Sequence, residues 1–188
     1  IPDGISKLSS RAFQNCTSLV SLTIPQGLTQ IGSTSFAGCS SLENVVVENG
    51  NPVYDSHNNC NAIIETATKS LVLGCKNTII PEDVTSIGTS AFEGCTGLTS
   101  ITIPNSITSI GDNAFSGCKN LKEVTTLPTI PPTLGNGAFG GCNSPTLIYP
   151  ENSNYFSWSN YFSNLGYYEN GITEWWVDNE GNATVVCK

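Results

Sequence analysis

Methionine is absent from these 188 residues, histidine occurs once, and charged side chains make up only 12% of the chain. A lone His57 leaves no second imidazole for a two-histidine metal site or acid–base pair. Only 7 Lys and Arg stand against 15 Asp and Glu, giving a net charge of −8 and a pI near 4.4. That balance argues against phosphate backbones and anionic lipid as partners. No apolar run approaches the roughly 18 residues that suggest a membrane span. Neither a nucleic-acid partner nor membrane insertion is expected within these residues. The chain opens Ile1-Pro2-Asp3-Gly4, without Met or a basic-plus-apolar leader, and is read as a mature or excised piece of a longer protein.

What the chain has in excess is repetition. Ala12-Phe13, Ser35-Phe36, Ala91-Phe92, Ala114-Phe115 and Ala138-Phe139 each lead, three residues after the Phe, to Cys16, Cys39, Cys95, Cys118 and Cys142. The Phe positions step by 23, 56, 23 and 24, so the long step is one repeat of 23 plus an insertion of 33. The phrase runs Leu-x-x-Ile-x-Ile-Pro-x-x-Ile-x-x-Ile-Gly-x-x-Ala-Phe-x-Gly-Cys-x-x-Leu, with clear copies from Leu19 and Leu98 and a degenerate one from Leu121. A fixed period of this size is the mark of a repeat architecture.

Each phrase reads as one coil with three walls. Ile101 and Ile103 share a face of a short strand, and Pro104 ends it because proline has no N–H to donate. Ile107 and Ile110 point inward from a second wall, and Gly111 allows a corner. Ala114, Phe115 and Cys118 have the spacing of a short helical turn on a third. One coil cannot cover its own apolar interior, so copies stack about 4.8 Å apart and become one another's floor and ceiling.

The phrase Leu98-x-x-Ile101-x-Ile103-Pro104, the Ile-x-x-Ile-Gly of Ile107 to Gly111 and the Ala-Phe-x-Gly-Cys of Ala114 to Cys118 resemble the BspA-like group of leucine-rich repeats, found in bacterial and protozoan surface proteins. The likeness covers about 1–47 and 78–150. It implies an extracellular or cell-surface location and a role in adhesion or host-protein binding. The expected fold class is an α/β repeat: a right-handed leucine-rich-repeat-like solenoid of about six coils, with short strands and short helical or irregular turns. The solenoid is assigned to 1–150, with an irregular inserted coil at 48–79, and a C-terminal cap to 151–188.

Within the insertion, Ala62–Glu65 and 70–73 read as a hairpin around Thr66-Ala67-Thr68-Lys69. Pairing Glu65 with Ser70 and counting outward sets Cys60 opposite Cys75, within reach of a disulfide worth roughly 3 kcal/mol; two free thiols are the alternative. The five repeat cysteines read as small apolar residues stacked in a buried column. Cys187 has no evident partner.

Candidate chemistry is sparse. His57, Cys60 and Cys75 can all ligate, but there is no Cys-x-x-Cys, no second His and no zinc-like spacing, so His57 reads as a solvated loop residue. No nucleophile elbow surrounds it. Five Asp and ten Glu allow some pair to approach, yet no motif marks a glycosidase pair. The stretch 178–182 reads as a turn rather than a calcium loop. Asn15 and Asn182 head Asn-x-Thr sequons. The chain is read as no enzyme, and no cofactor is expected.

Surfaces offer more. Stacking would place Ser21, Asn44, Ser100 and Glu123 in one outward column and Thr23, Val46, Thr102 and Thr125 in the next, a hydroxyl-rich sheet face for a host or matrix protein. At the C-terminal end, nine aromatic residues fall between Tyr155 and Trp176. The run 150–165 resembles the short closing helix that follows the last repeat in the BspA-like group, and 174–177 with Ala183–Val186 reads as a hairpin. Terminal coils need covering, so the aromatics read as a cap; the alternative is a glycan platform using Trp158, Trp175 and Trp176.

Overall fold

In Ser100-Ile101-Thr102-Ile103 both isoleucines are buried and both hydroxyl residues exposed, the alternation of a strand with one face on a core. The same logic repeats through a computed structural model that describes residues 1–151, 153–162, 164–169, 173–177 and 183–186, with backbone pairing alone beyond Phe162. The strands in chain order begin with β1 (Lys7–Leu8), β2 (Ser21–Ile24), β3 (Gln30–Ile31), β4 (Asn44–Val47) and β5 (Tyr54–Asp55). Next come β6 (Ala62–Glu65), β7 (Ser70–Gly74), β8 (Ser86–Ile87), β9 (Ser100–Ile103), β10 (Ser109–Ile110), β11 (Glu123–Thr126) and β12 (Thr133–Leu134). The last are β13 (Thr146–Pro150), β14 (Asn164–Glu169), β15 (Thr173–Val177) and β16 (Ala183–Val186).

Wall one holds β2 paired parallel with β4, and β9, β11 and β13 in a second parallel run. A sixth pass, residues 77–80, matches the strand position of the phrase without forming a strand. Wall two holds β1 with β3, and β7, β8, β10 and β12 in parallel. The molecule is thus a solenoid of about six turns built from short parallel strands.

The expected helical turns on wall three do not form, and the α/β description gives way to a β-solenoid. Among the described residues only two 3-10 segments occur, His57–Asn59 and Phe156–Tyr161. The reason lies in where the backbone N–H groups point. Phe92 N donates to Ala114 O at 2.7 Å, Gly94 N to Ser116 O at 2.7 Å and Phe115 N to Ala138 O at 2.7 Å, all to the next coil rather than back along the chain. Gly94 sits at φ +71°, and a Cβ there would lie 2.7 Å from the Gly38 Cα of the preceding rung. Left-handed Ser90 and Gly94 interrupt any helical run, and every second amide between them turns to the next coil.

Wall three also shows what the insertion does. Gly38 N donates to Glu93 O, so coil two touches coil four directly there, and the inserted segment reaches this wall through Gly74, whose N–H donates to Ala91 O at 2.9 Å. The extra 33 residues otherwise go to walls one and two, as a hairpin in which β5, β6 and β7 pair antiparallel. In β6, Ala62, Ile63 and Ile64 are all fully buried, which an ordinary one-sided strand does not allow. Ala62, Ile64 and Leu71 face one apolar cluster running toward the C-terminal cap, while Ile63, Leu73 and Cys75 face another holding Leu22, Ile24, Phe36 and Val45. The hairpin is a transverse sheet, ceiling to one half of the core and floor to the other.

This arrangement overturns the Cys60–Cys75 bridge. Glu65 does pair with Ser70, but a bulge between Ile63 and Ile64 shifts the register so that Ala62 faces Gly74. Cys60 then points into the C-terminal cluster and Cys75 into the N-terminal one, and both are free thiols. Ile63→Ala and Ile64→Ala are each expected to cost about 2–5 kcal/mol in urea unfolding. Amide exchange should then quicken chiefly among residues 20–47 for the first variant and 84–125 for the second. Identical exchange patterns would refute the partition.

Candidate functional site

The outward positions of wall one are set by strand alternation. Ser21 lies opposite Asn44 and Thr23 opposite Val46; Ser100 lies opposite Glu123 and Thr102 opposite Thr125. Ser21, Thr23, Asn44, Val46, Ser100 and Thr102 are exposed, and Glu123 and Thr125 half-buried. The two expected columns are not continuous, because the inserted segment enters between β4 and β9. Val47 N donates to the Ser56 hydroxyl and Ile79 N to Cys60 O, which places 56–60 between β4 and the 77–80 pass. Val46 (51% exposed) and Ile79 (74% exposed) flank that entry as apolar side chains on an otherwise polar face. Ile79 escaped the sequence reading, although Ile79-Ile80-Pro81 aligns with Thr102-Ile103-Pro104 and so assigns Ile79 an outward slot. Beside it, a cleft of about 290 Å³ separates 78–80 from Ser100, Ile101 and Thr102.

His57 is not a merely solvated loop residue. Its Nδ1 lies 2.5 Å from Asp55 Oδ1 and its Nε2 2.9 Å from Asp83 Oδ1, while Lys69 Nζ donates to Asp83 Oδ2 at 2.9 Å. Asp55 ends β5, Lys69 sits in the hairpin loop and Asp83 in the turn after the 77–80 pass, so the network ties the inserted coil to the repeat. The hydrogen bond to Asp55 raises the His57 pKa above its usual value, with a further contribution from Asp83. The bonds from Lys69 and then His57 hold Asp83 down to about 2. With both ring nitrogens facing carboxylates and Cys75 in the other core compartment, His57, Cys60 and Cys75 do not converge on a common point.

The repeat cysteines form the column expected of them, with its outer members less covered. Cys39, Cys95 and Cys118 are buried, Cys142 is half-buried and Cys16 exposed. Cys39, Cys118 and Cys142 donate their S–H to the carbonyls of Phe13, Phe92 and Phe115, each on the preceding rung, at 3.1–3.2 Å. Burial pushes Cys39, Cys95 and Cys142 up to about 11 and Cys118 higher still. Raised and packed in this way, these thiols are poor nucleophiles at neutral pH.

Trp158 is core rather than platform. It is 2% exposed, packed edge-on to Tyr155 at 5.0 Å and tilted on Phe139 at 5.8 Å. The Tyr155 hydroxyl donates to Pro128 O at 2.9 Å. The expected closing helix is only the 3-10 turn Phe156–Tyr161, after which β14 continues the sheet beside β13. The expected hairpin forms, with Glu174 opposite Val186 and Val177 opposite Ala183. The side chains of Trp175 and Trp176 lie outside the described residues, as do Asn182 and Cys187.

Residues 1–72 and 61–169 match the BspA type leucine rich repeat region, in six copies. The chain belongs to that family. Its fold resembles a leucine rich cell surface protein from Faecalibacterium prausnitzii A2-165, at 24% identity and TM-score 0.56, covering 90% of this chain and 53% of that one. It also resembles the pneumococcal vaccine antigen PcpA, at 19% identity and TM-score 0.54 over 79% of this chain and 43% of that one. A leucine-rich repeat protein from Eubacterium ventriosum ATCC 27560 gives 18% and 0.53 over 88% and 53%. The chain spans about half the length of these structures. A search of curated proteins finds no match.

Two measurements follow from the titrating groups. Because His57 binds its proton more tightly when folded, its stabilisation is full below about pH 6.5 and is lost as pH rises through the raised folded value. Asp83 behaves oppositely: its contribution is present above about pH 3.8 and disappears as pH falls toward 2. A melting-temperature series from pH 5 to 9 should therefore decline at the alkaline end, and His57→Gln should flatten it; an unchanged slope counts against the network. For the thiols, a Cys16→Ser/Cys187→Ser variant should show no fast reaction with Ellman's reagent in the native state. The denatured, unreduced parent chain should titrate all 8 cysteines; a titre of six would restore the bridge.

Proposed function

We propose that the chain is a non-catalytic protein-binding module of a bacterial surface protein, acting in adhesion through the outward face of wall one. The observation that carries this reading is that face itself. It is a sheet of exposed Ser, Thr and Asn with Val46 and Ile79 set among them, held by strands whose inward side chains are buried. Hydroxyl and amide groups on a rigid framework can hydrogen-bond a partner at little ordering cost, and two exposed branched side chains supply apolar anchors. Membership of the BspA-type family and the likeness to a protein named as a cell surface protein support the location. No helix among the described residues is long and apolar enough to cross a membrane.

The test is a binding screen of the whole chain against extracellular-matrix proteins and a glycan array. A protein partner is expected, and replacing Thr23 and Thr125 together by Lys should weaken it about tenfold or more, with the melting temperature unchanged. Glycan binding with shifted Trp fluorescence, abolished by Trp175→Ala or Trp176→Ala, would replace this reading with a carbohydrate-binding one. That alternative has lost Trp158, which is buried.

A further inference from the structure

We propose that the cleft between the 77–80 pass and β9 receives an extended peptide strand, paired to the free edge of β9 and bearing a basic residue for Glu82. The inference rests on the protein-binding reading of wall one and names the partner's form. β9 is the last strand of its sheet, paired only with β11. Lys122 N and Leu127 N donate to Thr99 O and Ile103 O, so the odd-numbered residues of β9 turn toward β11. In a parallel ladder alternate residues bond to opposite sides, and Ser100 and Thr102 therefore present their N–H and C=O groups to the cleft.

Nothing answers them from across it. Among the described residues no backbone hydrogen bond joins 77–80 to β9, and Ile79 N is turned the other way, onto Cys60 O. The gap is confined to wall one. At the same level wall two is closed by Ser86 opposite Ser109, and wall three by Phe92 N on Ala114 O at 2.7 Å. A free strand edge is a template for another extended chain.

The surroundings state what that chain must be. β9 offers 4 residues, a run of about 13 Å, which matches a short extended segment and neither a helix nor a broad folded surface. Ile79 stands exposed at the rim and suits a β-branched or aromatic side chain of the guest. Glu82 lines the same cleft, exposed and without an ion pair among the described residues, while nearby Lys76 is held by Glu43 at 2.5 Å. On a chain of net charge −8, a guest carrying Lys or Arg is complementary.

The experiment pans a phage-displayed library of linear dodecapeptides on the whole chain. Peptides alternating β-branched residues with at least one Lys or Arg are expected. N-methylation of every second peptide amide should weaken binding about tenfold or more in one register and little in the other. Binding should protect the Ser100 and Thr102 amides from hydrogen exchange. Ile79→Lys and Glu82→Lys, both at exposed positions, should each cost about tenfold in affinity with no change in melting temperature. Recovery of no peptide, or of peptides indifferent to N-methylation and to both substitutions, overturns the proposal. Matrix-protein binding that is lost with the Thr23 and Thr125 changes but survives Ile79→Lys and Glu82→Lys keeps the face reading and rejects the cleft. Peptide binding at β9 without any matrix partner keeps the cleft and rejects the broad face.

Discussion

A coil of 23 residues has an inside but no lid. Its inward Leu, Ile and Phe side chains can be hidden at the perimeter by the backbone itself, yet above and below they meet water unless another coil lies there. Everything else in the molecule answers that need. Backbone N–H groups bond between coils on all three walls, even in the irregular third, where every second amide (Ser90, Phe92, Gly94) reaches the next coil while those between close turns along the chain. The Phe rings make the same point in side chains. Phe92, Phe115 and Phe139 stack at 4.9 Å between centroids, and the series ends against Trp158 and Phe162 because no further repeat arrives to cover Phe139.

The insertion works within the same constraint. An additional 33 residues that touched all three walls would simply be another coil with a long step. Added mainly to two walls, they leave coil two in direct contact with coil four at Gly38 on wall three and fill the remaining wedge with a hairpin buried on both faces. Gly74 belongs to this fit: a Cβ there would come within 2.1 Å of the Phe92 ring, so the aromatic series is interrupted by glycine rather than by a neighbouring Phe. The wedge also disturbs wall one. Segment 77–80 bonds toward the inserted residues, and β9 is left with an unanswered edge.

The repeating elements were legible because period two and a 23-residue spacing both register directly in residue types. Ile101 and Ile103, or Val45 and Val47, declare their wall without reference to anything distant. On wall three Ala-Phe-x-Gly-Cys has helix-compatible spacing, and only the neighbouring coil shows that every second amide there is bonded outward. The hairpin was found, but its bulge was not: Ile63 and Ile64 are both apolar, and a strand buried on two faces carries no alternation to fix its register. The same ambiguity produced the disulfide. The bond from His57 to Asp83 has no local signature, because Asp83 lies 26 residues away and reaches it only through the fold. Of the outward residues, Thr23, Val46, Thr102 and Thr125 followed from alternation; Ile79 required recognising a degenerate copy of the phrase inside the insertion.

The direction of the inter-coil hydrogen bonds has a mechanical corollary. Strands run across the stack while their bonds run along it, so a pull on the two chain ends meets the bonds a few at a time instead of in shear. Coils would come away singly, each releasing about 75 Å of chain, with the inserted coil giving one step about 1.4 times as long. A tether built this way lengthens in increments and absorbs work at each of them, while the coils not yet peeled keep their outward faces intact.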